Sequence, residues 1–191
     1  MDKILLILDL DETLIHASKT LIHEEYDFKV FHYYVYKRPF LDNFLEICAE
    51  NFQLAIWSSA SDDYVAEIVK NIIPNHISLA FMWGRSRCTP IISPQIDEYG
   101  YYNLDVTSHY EYAKKLFKVK RKGFDLKKVL IVDDTPAKVA YNYGNAIYAK
   151  EFKGEKEDIE LTILSKYLLY LKNEPNVRTI EKRDWRQKMQ E

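Results

Sequence analysis
Apolar stretches such as ILLIL and VLIV are short and run directly into carboxylates. None approaches the roughly 18–20 residues that a helix needs to cross a bilayer, so the sequence holds no candidate for a membrane-spanning helix. The opening MDKILLILDLDE does not read as a signal peptide: acids interrupt the apolar run and no small-residue cleavage site follows. Only two cysteines occur, Cys48 and Cys88, without metal-ligand spacing, and a reduced, cytoplasmic setting is the expectation. The formal net charge is −2, so there is no global attraction to nucleic acid or to an anionic membrane. Repeats and Pro-, Gly- or Ser-rich linkers are absent. One domain over 1–191 is expected, with a core over about 3–172 and a charged, loosely held tail over 173–191.

The 191 residues are 47% hydrophobic and 29% charged, the balance of a globular chain long enough to bury a core. Tyrosine is frequent, at 15 residues. Residues 3–8 read as a strand apolar on both faces, as in a parallel sheet covered by helices. Residues 27–36 suggest one or two β segments, as in a hairpin. Pro39 is expected to open a helix whose inner stripe is Phe40, Leu41, Phe44, Leu45 and Cys48. QLAIW (53–57) is a second buried strand. Ser61 then caps a helix carrying Tyr64, Val65, Ile68, Val69 and Ile72 and stopping before Pro74. LAFMW suggests a strand within the irregular stretch 76–107, and a helix is expected from about Ser108 to Lys120. DLKKVLIVDD holds another apolar strand. Pro136 opens a short helix that Gly144 can close, NAIYA is a further strand, and 156–172 has helical amphipathicity.

Strands alternating with helices imply a parallel α/β sheet, in which ligands bind beyond the carboxyl ends of the strands. The polar residues fall there: Asp9 and Asp11 after the first strand, Ser58 after QLAIW, Asp133 and Asp134 after KVLIV. Either acid pair alone also suits a turn or a helix N-terminus. Together, four carboxylates at one edge need an offset for their mutual repulsion. Hard oxygen donors select Mg²⁺ or Ca²⁺ over zinc. Ser58 and a lysine from HYEYAKKLFK, either Lys114 or Lys115, could hold the outer oxygens of a phosphate. Residues 114–128 contain eight Lys or Arg and one acid, which suits a solvated helix face or an electrostatic funnel toward the acids.

The order of DLDET (9–13), AIWSS, a lysine and VDD resembles the haloacid dehalogenase-like superfamily. DLDETLIHAS, KRPFLDNFL and DLKKVLIVDDTP resemble its FCP/SCP-type phosphatases, the NIF-like branch acting on the C-terminal domain (CTD) of RNA polymerase II and its relatives. The resemblance covers most of residues 3–150. It implies an α/β Rossmannoid three-layer sandwich with a central parallel sheet and small β inserts instead of a full cap domain. It also implies a Mg²⁺-dependent phosphatase with Asp9 as nucleophile and Asp11 as acid, then base. Thr13 would brace the loop, Ser58 and Lys114 would hold the phosphoryl group, and Asp9, the Asp11 carbonyl, Asp133 and Asp134 would hold the metal, with Asp134 preferred over Asp133 as the direct ligand. A receiver domain is excluded, because it lacks a second acidic pair after the lysine. The short segments 17–36 and 75–108 leave the site open, which favours a phosphoprotein. Alternatives are a small ester, a nucleic-acid end phosphate or a non-catalytic scaffold. His16 reads as a loop residue near the site. Trp83, Arg85, Arg87 and YGYY (99–102) read as a packed insert or a substrate rim.

Overall fold
The protein's structure, a computed structural model, describes residues 3–91, 95–96, 102–103 and 111–189. In chain order its strands are β1 (Leu5–Leu8), β2 (Ile15–Ser18), β3 (Phe28–Val30), β4 (Tyr33–Lys37), β5 (Gln53–Trp57), β6 (Leu79–Trp83), β7 (Thr89–Ile91), β8 (Gln95–Ile96), β9 (Tyr102–Asn103), β10 (Glu111–Ala113), β11 (Val129–Asp133) and β12 (Ala146–Tyr148). The helices are α1 (Leu41–Asn51), α2 (Asp62–Ile72), α3 (Phe117–Arg121), α4 (Pro136–Val139), α5 (Glu160–Leu171) and α6 (Trp185–Lys188).

Strands rich in Leu, Ile and Val on both faces can be satisfied only by a sheet covered on both sides. Five of them form a parallel sheet in the order β12-β11-β1-β5-β6. Leu5–Leu8 lie opposite Val129–Val132 on one side and Gln53–Ile56 on the other. Leu6, Leu8, Leu54, Ile56, Leu130 and Val132 cluster with Phe44 and Leu45 of α1, Ile68 of α2, and Leu164 and Leu168 of α5. Leu5, Ile7, Ala55, Trp57, Val129 and Ile131 face the other way, toward Trp83, Leu116, Val119 and Val139. Each fully buried large side chain contributes about 1.5–3 kcal/mol. The chain builds β5 and β6 on one side of β1 and β11 and β12 on the other. The carboxyl end of β1 is therefore the switch point where an open α/β sheet forms its crevice.

Three small antiparallel sheets stand apart from the central one: β2-β4-β3, β7-β10 and β8-β9. They are the small β inserts expected in place of a full cap, and 27–36 forms the hairpin β3–β4. β5, α2 and β6 match the sequence expectation, although the Ser61 side chain makes no cap bond.

Other elements differ from expectation. Pro39 does not start α1: Phe40 intervenes with φ 66°, and its side chain is exposed rather than part of the inner stripe. The cause lies one residue earlier, in Arg38. Its side chain is fully buried, with Nε and Nη2 donating to Asp158 at 2.8 Å each and Nη1 donating to the Thr13 carbonyl at 2.9 Å. The chain must leave this anchor and turn before the helix can begin. The same pair delays α5 to Glu160, because Asp158 also accepts from the Glu160 N–H.

The helix expected from Ser108 lies partly outside the described residues. Its described part is β10, paired with β7, followed by α3. Ladder pairing with Thr89–Ile91 takes the backbone groups a helix would need. Gly144 sits inside a 3₁₀ stretch, Ala140–Asn145, where a Cβ would lie 3.2 Å from the Arg178 carbonyl.

The tail is not loosely held as far as Met189. Trp185 is buried against Tyr167, and its indole N–H donates to the Tyr148 carbonyl at 3.0 Å. Lys182 donates to the carbonyls of Gly144, Val177 and Ile180. Burial pushes its ammonium down to about 8.

Burial pushes the Asp158 carboxyl up, but the Arg38 guanidinium together with the Glu160 N–H more than reverses this and holds it below the ordinary carboxylate value. A depressed folded pKa contributes stability above the unfolded value near 3.9, lost as pH falls through the folded value. Asp158→Asn should lower stability at pH 7 by about 3 kcal/mol, because Arg38 is left buried without its partner charge. Urea unfolding should show the gap to wild type closing below about pH 4.

Candidate active site
The carboxyl ends of β1 and β11 converge on one buried ammonium. Lys114 Nζ lies 2.6 Å from Asp9 Oδ1 and 2.6 Å from Asp133 Oδ2, and all three side chains are almost completely buried. Asp9 follows β1 directly and Asp133 ends β11, so the pairing of these neighbouring strands sets the two acids side by side. Burial alone would push Lys114 down, but Asp133 and Asp9 reverse this and hold it above the ordinary lysine range. Burial pushes Asp133 up, and Lys114 pulls it back only in part.

The backbone around Lys114 is locked. Its N–H donates to the Lys138 carbonyl at 2.7 Å. The Asn142 side chain takes both neighbouring groups, donating to the Lys114 carbonyl and accepting from the Leu116 N–H at 3.1 Å. Lys115 instead sets its Nζ 4.4 Å from the centroid of the Tyr141 ring. Of the two lysines left open by the sequence, Lys114 is the one that reaches the acids.

After β1 the chain winds back through one tight turn, with the Leu14 N–H donating to the Leu10 carbonyl at 2.8 Å and Glu12 at φ 59°. This carries Asp11 over the crevice. Its Oδ1 accepts from the Tyr64 hydroxyl at 2.6 Å, and Ser58 Oγ lies 3.5 Å from its Oδ2. Burial raises the Asp11 carboxyl, with the Tyr64 bond opposing. Glu12 is pushed up to about 7 by burial and by Asp11, Asp134 and Asp9. Thr13 is fully buried, and its Oγ1 accepts from the Asp134 N–H at 3.1 Å, tying the β1 loop to the β11 loop. Ser58 also accepts from the Ala60 N–H at 3.1 Å. His16 lies on β2, with Nδ1 3.3 Å from Glu12 Oε1.

The structure thus gathers Asp9, Asp11, Thr13, Ser58, Lys114, Asp133 and Asp134 at one edge. Sequence reasoning placed Tyr64 only in a core stripe and passed over Asn142, Glu12 and Lys138. Tyr64 had a usable signal, since it stands in the first turn of the helix leaving Ser58. Lys138 stands in the short helix after the acidic pair. Burial pushes its ammonium down, and Asp9 and Asp133 raise it overall.

Carboxylate oxygens of Asp9, Asp133 and Asp134 lie within 4.8 Å of one another. Asp9 Oδ2 and Asp134 Oδ1 are buried without a hydrogen-bond partner, whereas both Asp133 oxygens are engaged, one by Lys114 and one by the Thr135 N–H. Unpartnered buried carboxylate oxygens in an all-oxygen donor set are what a hard divalent cation satisfies. Beside them an open cavity of about 440 Å³ is lined by Asp11, Glu12, Phe31, Tyr33, Tyr64 and Arg85, among others. Trp83 is buried and Arg85 faces this cavity. Most of the 99–102 stretch lies outside the described residues.

This sheet, with a lysine held between the acids of two strands, defines a haloacid dehalogenase-like protein. Residues 4–178 match the family of NLI interacting factor-like phosphatases, and the chain belongs to that family. It is 29% identical over 163 residues to a probable C-terminal domain small phosphatase of Dictyostelium discoideum, covering 82% of this chain and 46% of the relative. It is also 29% identical over 167 residues to the human carboxy-terminal domain RNA polymerase II polypeptide A small phosphatase 1, covering 84% and 56%. The chain thus spans about half the length of these relatives. The fold resembles that of the fission yeast RNA polymerase II CTD phosphatase Fcp1, with a TM-score of 0.54 at 18% identity over 93% of this chain and 54% of the other. No helix among the described residues is long and apolar enough to cross a membrane.

Lys114→Met should lower the stability of the metal-free protein by about 3–5 kcal/mol, since Asp9 and Asp133 would then face each other without the cation that bonds both. Adding Asp133→Asn should restore part of the loss in urea unfolding, because it removes one of the two facing charges.

Proposed function
We propose that the protein is a Mg²⁺-dependent phosphomonoester hydrolase that works through an aspartyl-phosphate on phosphoserine or phosphothreonine of a protein. The observation that carries this reading is the Lys114 bridge between Asp9 and Asp133. It leaves the second Asp9 oxygen buried and without a hydrogen-bond partner, next to Asp11, which lines the open cavity.

Asp9 attacks phosphorus in line with the leaving oxygen. A phosphate dianion approaching four carboxylates is repelled unless charge is offset, and Lys114 supplies one positive charge held at fixed distance. Ser58 Oγ donates to an equatorial oxygen. Asp11 starts protonated, favoured by the burial that raises it, and gives its proton to the leaving alkoxide. Once ionised, it takes a proton from the water that opens the acyl-phosphate, so one carboxyl serves both halves. Tyr64 orients Asp11 throughout. Thr13 and Asn142 hold the two loops and the lysine in register.

Asp9, Asp134 and the Asp11 carbonyl would hold Mg²⁺, with Asp133 behind them steering Lys114. When bound, the ion neutralises the phosphoryl oxygens and orients them. The protein substrate is supported by the open, aromatic-walled cavity, by the small β inserts in place of a cap, and by the phosphatases to which the chain is similar. The two free, buried thiols support a reducing, cytoplasmic setting.

The test is release of para-nitrophenol from para-nitrophenyl phosphate. Wild type should require Mg²⁺ and fall silent in EDTA, and Asp9→Asn should lose at least about a thousandfold in kcat. Wild type without turnover and without an aspartyl-fluoroberyllate adduct would favour a binding scaffold instead. Tyr64→Phe should lose about tenfold in kcat, the worth of one orienting hydrogen bond. Mg²⁺ should raise the melting midpoint of wild type but not of Asp134→Asn, as expected when an ion binds only the folded site.

A further inference from the structure
The formal charge of −2 conceals a division of charge. Asp9, Asp11, Glu12, Asp133 and Asp134 gather at the crevice, whereas Arg85, Arg87, Lys120, Arg121 and Lys122 stand exposed on the flank beyond β6, with Asp62 the carboxylate that touches their turn, through the Ser86 hydroxyl at 3.1 Å. None of these five pairs with a carboxylate among the described residues.

The ridge is tied to the loop that carries Ser58. The 3₁₀ turn Arg85–Arg87 is pinned to the loop after Ser58 by two bonds: the Arg85 N–H to the Ala60 carbonyl at 2.8 Å and Nε to the Ser59 carbonyl at 2.9 Å. Lys118 Nζ joins α3 to the same turn, donating to the Arg87 carbonyl at 2.8 Å and the Cys88 carbonyl at 3.1 Å. The exposed cations are laid on rings. Arg87 lies 5.6 Å and Lys122 5.8 Å from the Trp83 centroid, Arg85 5.1 Å from Tyr112, and Arg121 5.0 Å from Phe117. Cations held on aromatic faces give up little rotamer freedom when an anion binds.

We propose that this ridge docks an acidic stretch of the polypeptide that carries the phosphate. The proposal rests on the reading of the crevice as a protein phosphatase site. Arg85 lines the cavity that Asp11 also lines, and cations without a carboxylate partner among the described residues are suited to carboxylates flanking the phosphate, guanidinium edges matching paired carboxylate oxygens. The rings argue for polypeptide over single-stranded nucleic acid. A stacking platform needs free aromatic faces, and these faces are already turned to the protein's own cations.

The test uses two matched phosphoserine peptides, one with Asp and Glu flanking the phosphate and one with Asn and Gln in their place. The protein is compared as wild type, Arg121→Gln/Lys122→Gln, and the charge-keeping Arg121→Lys/Lys122→Arg. We expect the neutralised variant to lose about tenfold in kcat/KM on the acidic peptide, through KM, with the loss shrinking at high salt. Hydrolysis of the neutral peptide and of para-nitrophenyl phosphate should stay within about twofold, and the charge-keeping variant should behave as wild type. Equal losses on both peptides, or none, would overturn the docking surface.

Fluorescence anisotropy of the same labelled peptides without phosphate reads the ridge independently of catalysis. If no phosphate ester is cleaved, the phosphatase reading fails. The ridge then stands or falls on whether wild type binds the acidic peptide more tightly than the neutralised variant does. Tighter binding of single-stranded RNA than of the acidic peptide would also overturn the proposal.

Discussion
The structure is organised around one buried cation. Lys114 carries the only ammonium that reaches both Asp9 and Asp133 among the described residues. Without it, two strands of the central sheet would end in facing, buried carboxylates, costly unless one took up a proton or a metal ion. The surrounding architecture serves that contact. Parallel pairing of β1 with β11 sets the spacing of the acids. Asn142 and the Lys138 carbonyl fix the lysine backbone. Thr13 closes the two acidic loops on each other. An ion triad of this kind adds little net stability; what it provides is a fixed arrangement of charge at the sheet edge.

A second buried pair, Arg38 with Asp158, supports the first from below. Arg38 reaches the Thr13 carbonyl as well as Asp158, so the hairpin, the β1 loop and the entry to α5 meet at one guanidinium. Its demands also explain the exposed Phe40 and the late start of α5, two departures from local propensity. The two ion pairs divide the work: one shapes the crevice and the other holds the loop that carries Asp11 over it.

Charge is then sorted outward in layers. Carboxylates with raised proton affinity line the crevice, aromatic side chains form the cavity wall, and exposed arginines and lysines occupy the flank. An anion drawn toward such a surface meets the exposed cations before it reaches the buried carboxylates.

The chain alone determined the sheet and most of the crevice. Apolar runs that end in Asp9, Ser58 and Asp133 can only be buried strands, and parallel strands put their carboxyl ends on one side. The acids and the serine were therefore legible from spacing. Propensity also placed β5, α2 and β6, because their periodicity agrees with their burial. Tertiary structure decided what depends on contacts distant in sequence. It chose Lys114 over Lys115 through Asn142, and turned the expected helix near residue 111 into a strand by pairing it with β7. It brought Tyr64 to Asp11 from 53 residues away, and it docked the charged tail through Trp185 and Lys182. Such contacts leave no local periodicity, since each is selected by a burial or charge balance that exists only once the sheet has formed.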